Sequence, residues 1–199
     1  MAMPLQRHWT TEDVRAITHE DRPWPRYELI DGELLVTPAP RGAHQLAAFE
    51  IATLLKTYSE RERIGLVMLS PSDIGLRPDS ITQPDVFVVP FGVAPADRVA
   101  KWSDIKSLQL AVEVLSPSSL RTDRVVKRDF YLANGVAEYW IVDLDARMFE
   151  VWFPYDETPS VHHAELRWTP SGRDPLIIDL AALFDRVETQ WREISGRSV

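Results

Sequence analysis

Residues 108–143, LQLAVEVLSPSSLRTDRVVKRDFYLANGVAEYWIVD, constrain this chain more than any other stretch. The run 108–115 has the composition of a buried strand, yet it holds one charged residue, Glu113. A Ser-Pro-Ser-Ser turn follows at 116–119. The spacing then predicts a helix bearing Arg124, Lys127, Arg128 and Tyr131, closed by Gly135, and a second apolar strand over 138–142. Strand, helix and strand in so short a span form a βαβ-like unit. A carboxylate inside a buried strand is costly unless it is paired or holds a cation, so Glu113 has to be explained.

Composition narrows the explanations. With no cysteine, the chain has no disulfides, thiol nucleophiles or cysteine-ligated zinc, and a reducing, cytoplasmic setting is expected. The N-terminus lacks an apolar signal core. No window approaches the roughly 18 apolar residues of a membrane helix. A length of 199 residues is expected to form one domain spanning 1–199. The formal charge of −8 weighs against a broadly basic nucleic-acid surface, so any such partner has to be met by a local patch.

Elsewhere the pattern alternates between the two periodicities. Thr10 followed by Thr11, Glu12 and Asp13 marks a helix start, with the helix fading before Pro23. Runs at 27–30 and 33–36 around Asp31-Gly32 predict a hairpin. An apolar stripe from Ala47 to Tyr58 predicts a helix over 44–59. Strands are expected at 64–69, 72–77 and 85–89, then a loop over 91–104 with one helical turn. The run 148–153 should pair with 139–143, and 164–168 should extend that sheet. A strand at 176–178 and a helix from Leu180 complete the chain. Strands outnumber helices and several connections are hairpins. The expectation is an α/β fold: a mixed sheet flanked by helices, with additional hairpins.

Two carboxylates stand beside β-branched runs: Asp85 in QPDVFVV and Glu113 in LAVEVLS. If their strands are neighbours, the two converge, and two hard oxygen ligands with water suit Mg²⁺ or Mn²⁺. The plainer alternative has Asp85 capping a turn and Glu113 pairing with an arginine. Arg124, Lys127, Arg128 and Tyr131 fall near one helical stripe, with Val126, Phe130 and Ala133 on another that can face the core. The basic stripe is either a positive patch beside the carboxylates or a solvated helix face. Glu28 could add a carboxylate to the site or face solvent. His44 reads as a buried, hydrogen-bonded histidine. No G-x-S-x-G, P-loop or G-x-G-x-x-G is present, so serine-hydrolase and nucleotide-cofactor chemistry have no support.

Several of these segments occur together in one family. Pro84-Asp85, VEVLSPSS at 112–119, D-R-x-x-K-x-x-x-Y at 123–131, G-V-x-E-Y-W-I-V-D at 135–143 and YELIDGELLVTPAP at 27–40 with His44 beyond resemble the Uma-two family of restriction endonucleases (the DUF820 type). That family lies within the PD-(D/E)XK nuclease superfamily, and the resemblance covers about residues 25–155. It implies a restriction-endonuclease-like fold, with Asp85 as the aspartate of the PD motif and Glu113 as the acidic residue of (D/E)XK. Leu115 stands where that motif has lysine, and the resemblance moves the lysine to Lys127 on the following helix.

On this reading Asp85, Glu113 and the carbonyl of Val114 hold Mg²⁺ or Mn²⁺. Lys127 orients the attacking water or neutralises the charge developing on the phosphate, with Glu28 and His44 as further catalytic candidates. Arg124, Arg128 and Tyr131 bind the substrate. The implied activity is hydrolysis of nucleic-acid phosphodiesters, DNA by analogy, in a homodimer. Two other function classes fit the residues: a nuclease-like module that binds without turnover, and a metal-dependent hydrolase of small phosphorylated molecules.

Overall fold

The computed structural model describes residues 8–18, 24–93, 101–170 and 172–196. The elements run in chain order as follows. Helix α1 (Thr11–Ile17) precedes the hairpin β1 (Arg26–Ile30) and β2 (Glu33–Thr37). Helix α2 (Gly42–Glu62) leads to strands β3 (Gly65–Leu69), β4 (Val86–Pro90) and β5 (Leu110–Val114). A π-helical segment, Thr122–Lys127, continues into α3 (Arg128–Ala133). Strands β6 (Tyr139–Asp143), β7 (Met148–Trp152), β8 (Ser160–His162), β9 (Glu165–Trp168) and β10 (Leu176–Asp179) follow, and α4 (Leu180–Ser195) ends the fold.

Strands β3 to β8 form one six-stranded sheet in chain order. Within it β5 and β6 are parallel, joined across the π-helical segment and α3; every other neighbour pair is antiparallel. This is the mixed α/β sheet expected from the sequence. Period-two alternation assigns its faces. Val86, Val88, Val112, Val114, Trp140, Val142, Phe149 and Val151 face α2 and α4. Phe87, Val89, Ala111, Leu115, Tyr139 and Ile141 pack with Phe130, Tyr131 and Val136 on the other side. Glu113 has the parity of the second set. It therefore points beneath the connection between β5 and β6 and not toward α2.

Local expectations hold where they rest on short-range chemistry. Thr10 caps α1, in a reciprocal capping box with Asp13. Asp31 and Gly32 both adopt positive φ, 51° and 77°, as a two-residue hairpin turn requires. Helix α2 runs longer than its apolar stripe. The loop after Phe91 contains its helical turn at Trp102–Asp104, and positions 94–100 of that loop lie outside the described residues. So do positions 19–23, where the sequence has the first helix fading.

Three expectations are corrected. Residues 72–77 are not a strand. Ile74 bridges Thr82 alone, and the loop doubles back so that Ile81 bridges Leu29 of β1. Pro71 and Pro78 bracket the segment and remove ladder donors. Strand β9 does not extend the large sheet; it pairs with β10. Leu166 and Trp168 are buried among Trp140, Phe184 and Tyr58, so this hairpin covers the face of the sheet while β8 takes its edge.

The third correction concerns the helix after β5. Ala133 is exposed, and Arg124, Lys127, Arg128 and Tyr131 do not share a stripe. The first turns are π-helical: Arg128 N–H bonds Asp123 O five residues back, and the Tyr139 hydroxyl donates to the same carbonyl at 3.1 Å. The wider turn breaks the 3.6-residue phase. Asp123, Lys127 and Tyr131 turn inward and the arginines turn aside.

Candidate active site

The antiparallel register of β4 and β5 pairs Val86 with Val112, and one step further sets Asp85 beside Glu113. Asp85 Oδ2 accepts the Val114 N–H at 3.0 Å, which ties the two strand ends together. Lys127 Nζ reaches back from the π-helical segment, 3.0 Å from Glu113 Oε1, 2.9 Å from Glu28 Oε2 and 3.7 Å from Asp123 Oδ1. The lysine displaced from the plain motif therefore enters the same pocket from another backbone position.

Glu28 is 1% exposed, which removes the solvent-facing alternative. Its second oxygen accepts the Gln83 N–H at 2.8 Å, so β1, the 83–85 loop and the helix meet through one carboxylate. His44, near the start of α2, places Nε2 3.0 Å from Asp85 Oδ2. It is hydrogen-bonded as the sequence indicates, to Asp85, but it is half-buried and not buried. Tyr131 is fully buried and donates to Glu113 Oε1 at 3.2 Å. With no exposed surface it does not line the cavity, against the expectation that it binds substrate.

Arg124 bonds Glu150 and Asp143 at 2.7 and 3.2 Å, and Arg128 stacks over Trp152 and bonds Asp129. Neither lines the cavity. Two further residues of the site escape the sequence reading. Arg26 donates to Asp85 Oδ1 at 3.1 Å, and Asp123 closes the floor beneath Lys127. The available signal for Arg26 is a charge of the same strand parity as Glu28. For Asp123 it is the i−4 relation to Lys127 in the D-R-x-x-K segment.

A cavity of about 160 Å³ opens over these groups, walled by 34–38 of β2 and the adjoining chain and by Ser116, Ser119 and Thr122. Among the described residues, four buried carboxylates, Asp85, Glu113, Asp123 and Glu28, face two permanent cations, Lys127 and Arg26. Counted as fully ionised, the excess is two negative charges, apart from His44. Its consequences differ by site. Burial drives the Glu113 carboxyl well above its ordinary range. Lys127 pulls it down, and Asp85, Asp123 and Glu28 push it up. Burial also raises Asp123, to about 6, against the pull of Lys127 and a Ser119 hydrogen bond. For Lys127 burial opposes the charge, but Glu113, Glu28 and Asp123 outweigh it and hold the ammonium well above its usual range. At Asp85 burial is overcome by the His44 hydrogen bond and charge, then by Arg26 and Lys127, and the carboxyl stays strongly acidic.

An excess of two negative charges in a buried site fits a divalent cation, and the oxygen donors suit a hard one. Both hydrogen bonds to Glu113 fall on Oε1, so Oε2 has no donor among the described residues. No group of three or more His, Asp or Glu side chains gathers in ligand geometry among the described residues. A metal here would rest on two carboxylates, a carbonyl and water, the sparse set that Mg²⁺ accepts.

A mixed six-stranded sheet flanked by helices, with an acidic pocket and a lysine at the ends of two central strands, is a restriction-endonuclease-like fold. The model of the Uma2 family, described as "Putative restriction endonuclease", matches residues 11–180, and the chain belongs to that family. Such nucleases generally use divalent metals. Among solved structures, the fold is similar to the crystal structure of "a putative nuclease belonging to DUF820" from Anabaena variabilis ATCC 29413. The TM-score is 0.70 at 21% identity, covering 89% of this chain and 98% of that one. No curated protein matches the chain.

Proposed function

We propose that this protein is a single-domain, Mg²⁺- or Mn²⁺-dependent endonuclease that hydrolyses DNA phosphodiesters. The observation that supports this reading is the position of Lys127 Nζ, 3.0 Å from Glu113, with Asp85 locked to the same strand end through Val114 N–H. Asp85, Glu113 and the Val114 carbonyl are the metal ligands of the reading. A bound divalent ion supplies polarisation of the scissile phosphate and lowers the pKa of a water.

The chain's own groups do the rest. Arg26 and His44 hold the Asp85 carboxylate in one orientation. Tyr131 and Lys127 engage Glu113 through one oxygen and leave the other for the cavity. Lys127, kept charged by Glu28 and Asp123, orients the attacking water or neutralises charge growing on the phosphate. Arg124 and Arg128, outside the cavity, serve phosphates further along the strand, and Arg124 has to release Asp143 or Glu150 to take one.

No described helix is long and apolar enough to cross a membrane. A cytoplasmic homodimer completes the proposal, checked by mass from light scattering. Incubation of plasmid DNA with the protein and Mn²⁺ tests the activity. Cleavage of plasmid or of a single strand that EDTA stops and Asp85→Asn abolishes is expected; intact plasmid and intact single strands under every metal condition would refute it.

A further inference from the structure

A second concavity adjoins the acidic cavity. It has a volume of about 510 Å³ and lies between the first half of α2 and the end of α4. The two share Arg26, His44 and Asp85 as common walls. The volume falls within the 300–1,000 Å³ or so of small-molecule sites, enough for one nucleotide and too little for a duplex. Trp24, Phe49, Trp191 and Ile194 form its apolar walls. Phe49 is 59% exposed, Ile194 71% and Trp191 40%, so these side chains are not consumed by the core.

The cleft is built and not incidental. A Cβ on Gly42 would fall 2.0 Å from Trp191, so the indole lies directly on the backbone at the start of α2. Only a residue without a side chain allows that approach.

The polar rim sets Arg26 and His44 beside the Asp85 carboxylate, at the start of a helix. Helix α2 begins here without a side-chain cap and without an acid in its first turn, and Pro40, Gly42 and His44 line the cleft. A helix start of this kind favours negative charge. Arg26 is 6% exposed and stacks over Trp24 at 4.7 Å, yet its Nε has no partner among the described residues, nor has His44 Nδ1. Both residues stand on the wall between the two cavities.

We propose that this cleft receives the nucleotide next to the scissile phosphate, its base unstacked from the strand and set against Trp191 and Phe49. The substrate class is then single-stranded or locally opened nucleic acid, not intact duplex. The inference rests on the nuclease reading. A strand whose phosphate lies at Asp85 and Glu113 carries one of its neighbouring nucleotides into the cleft when it runs past Arg26 and His44, the walls the two cavities share. Aromatic walls grip a base face without regard to its identity. They cannot engage a base that remains stacked and paired. The overall charge of −8 disfavours the broad basic track that duplex binding uses.

The test is binding by fluorescence anisotropy, in EDTA so that no cleavage occurs. The probes are a labelled 12-nucleotide single strand and the same sequence as a duplex. The proteins are the full chain and its Trp191→Ala and Phe49→Ala variants, both at part-exposed positions and both checked by thermal melting. The single strand is expected to bind at least tenfold tighter than the duplex. Each variant should lose roughly tenfold for the single strand, the scale of one lost stacking partner, with duplex binding unchanged. Equal affinity for the two probes, or single-strand affinity unmoved in both variants, overturns the proposal. So does a variant that changes only the light-scattering mass, which would give the face to a second copy of the chain. A metal-dependent cleavage assay on the same strands separates the two readings. Cleavage with cleft variants fully active leaves the nuclease and removes the cleft. Trp191-dependent single-strand binding without any cleavage leaves the cleft and removes the nuclease.

Discussion

Glu138 gives a stability prediction that can be worked through from its surroundings. It opens the segment leading into β6 and is 6% exposed, and the Trp140 indole donates to its Oε1 at 2.7 Å. Burial lifts its carboxyl from 4.5 to about 7, more than the neighbouring indoles of Trp140 and Trp168 can offset. A raised carboxyl pKa means that the native state prefers the protonated form. The penalty is therefore nearly absent at pH 4. It grows as pH rises from 4.5 to 7 and is level above 7. A shift of about 2.5 units at 1.36 kcal/mol each sets the plateau at about 3 kcal/mol. Glu138→Gln keeps the acceptor for Trp140 and removes the titration. The variant should equal the native protein at pH 4 and exceed it by about 3 kcal/mol at pH 8. For a chain of this size that is a rise of roughly 6–12 °C in Tm. Urea unfolding at a series of pH values measures the difference directly. A difference that stays flat from pH 4 to 8, or that favours the native glutamate at pH 8, would show that Glu138 is charged in the fold and refute the argument.

The pocket and its surroundings yield three more expectations. Asp85→Asn and Glu113→Gln should each weaken Mn²⁺ binding by calorimetry at least tenfold, since each removes a ligand charge and keeps its shape; native-like titrations in both would move the metal elsewhere. Lys127→Ala should lower kcat by roughly a hundredfold or more with Mn²⁺ still bound, and an unchanged kcat removes the lysine from the chemistry. Arg124→Ala should flatten the slope of log affinity against log salt by about 0.7 on a single strand, or about 0.9 on duplex DNA, the share of one phosphate contact. An unaltered slope would assign the guanidinium wholly to Glu150 and Asp143.

Much of the site is legible in the sequence because its members are chemically out of place. Glu113 interrupts an apolar run, Asp85 opens one, and Lys127 recurs at a family spacing. Period-two alternation is a local property, so it already puts Glu113 and Ala111 on one face. What alternation cannot say is which strand lies alongside. The convergence of Asp85 with Glu113 depends on the register of β4 against β5, set by the packing of both faces at once. The same limit explains the displaced β9, whose alternation is plain in the sequence and whose partner is not.

The sequence by itself determined the capped start of α1, the turn at Asp31-Gly32, the strands flanking the connection at 116–135, and the acids and lysine from which a site could be built. Each follows from interactions within a few residues. Only the tertiary structure decided that Arg26 would hold Asp85 and that Asp123 would join Lys127. It also decided that Tyr131 would turn inward while Arg124 and Arg128 turned away. The inward turn of Asp123, Lys127 and Tyr131 goes with a π-helical turn that the hydroxyl of Tyr139 engages, sixteen residues beyond the carbonyl it bonds. A buried charge selects its partners from whatever the whole fold brings within about 3–4 Å, and that choice is made by long-range packing that no local window of sequence contains.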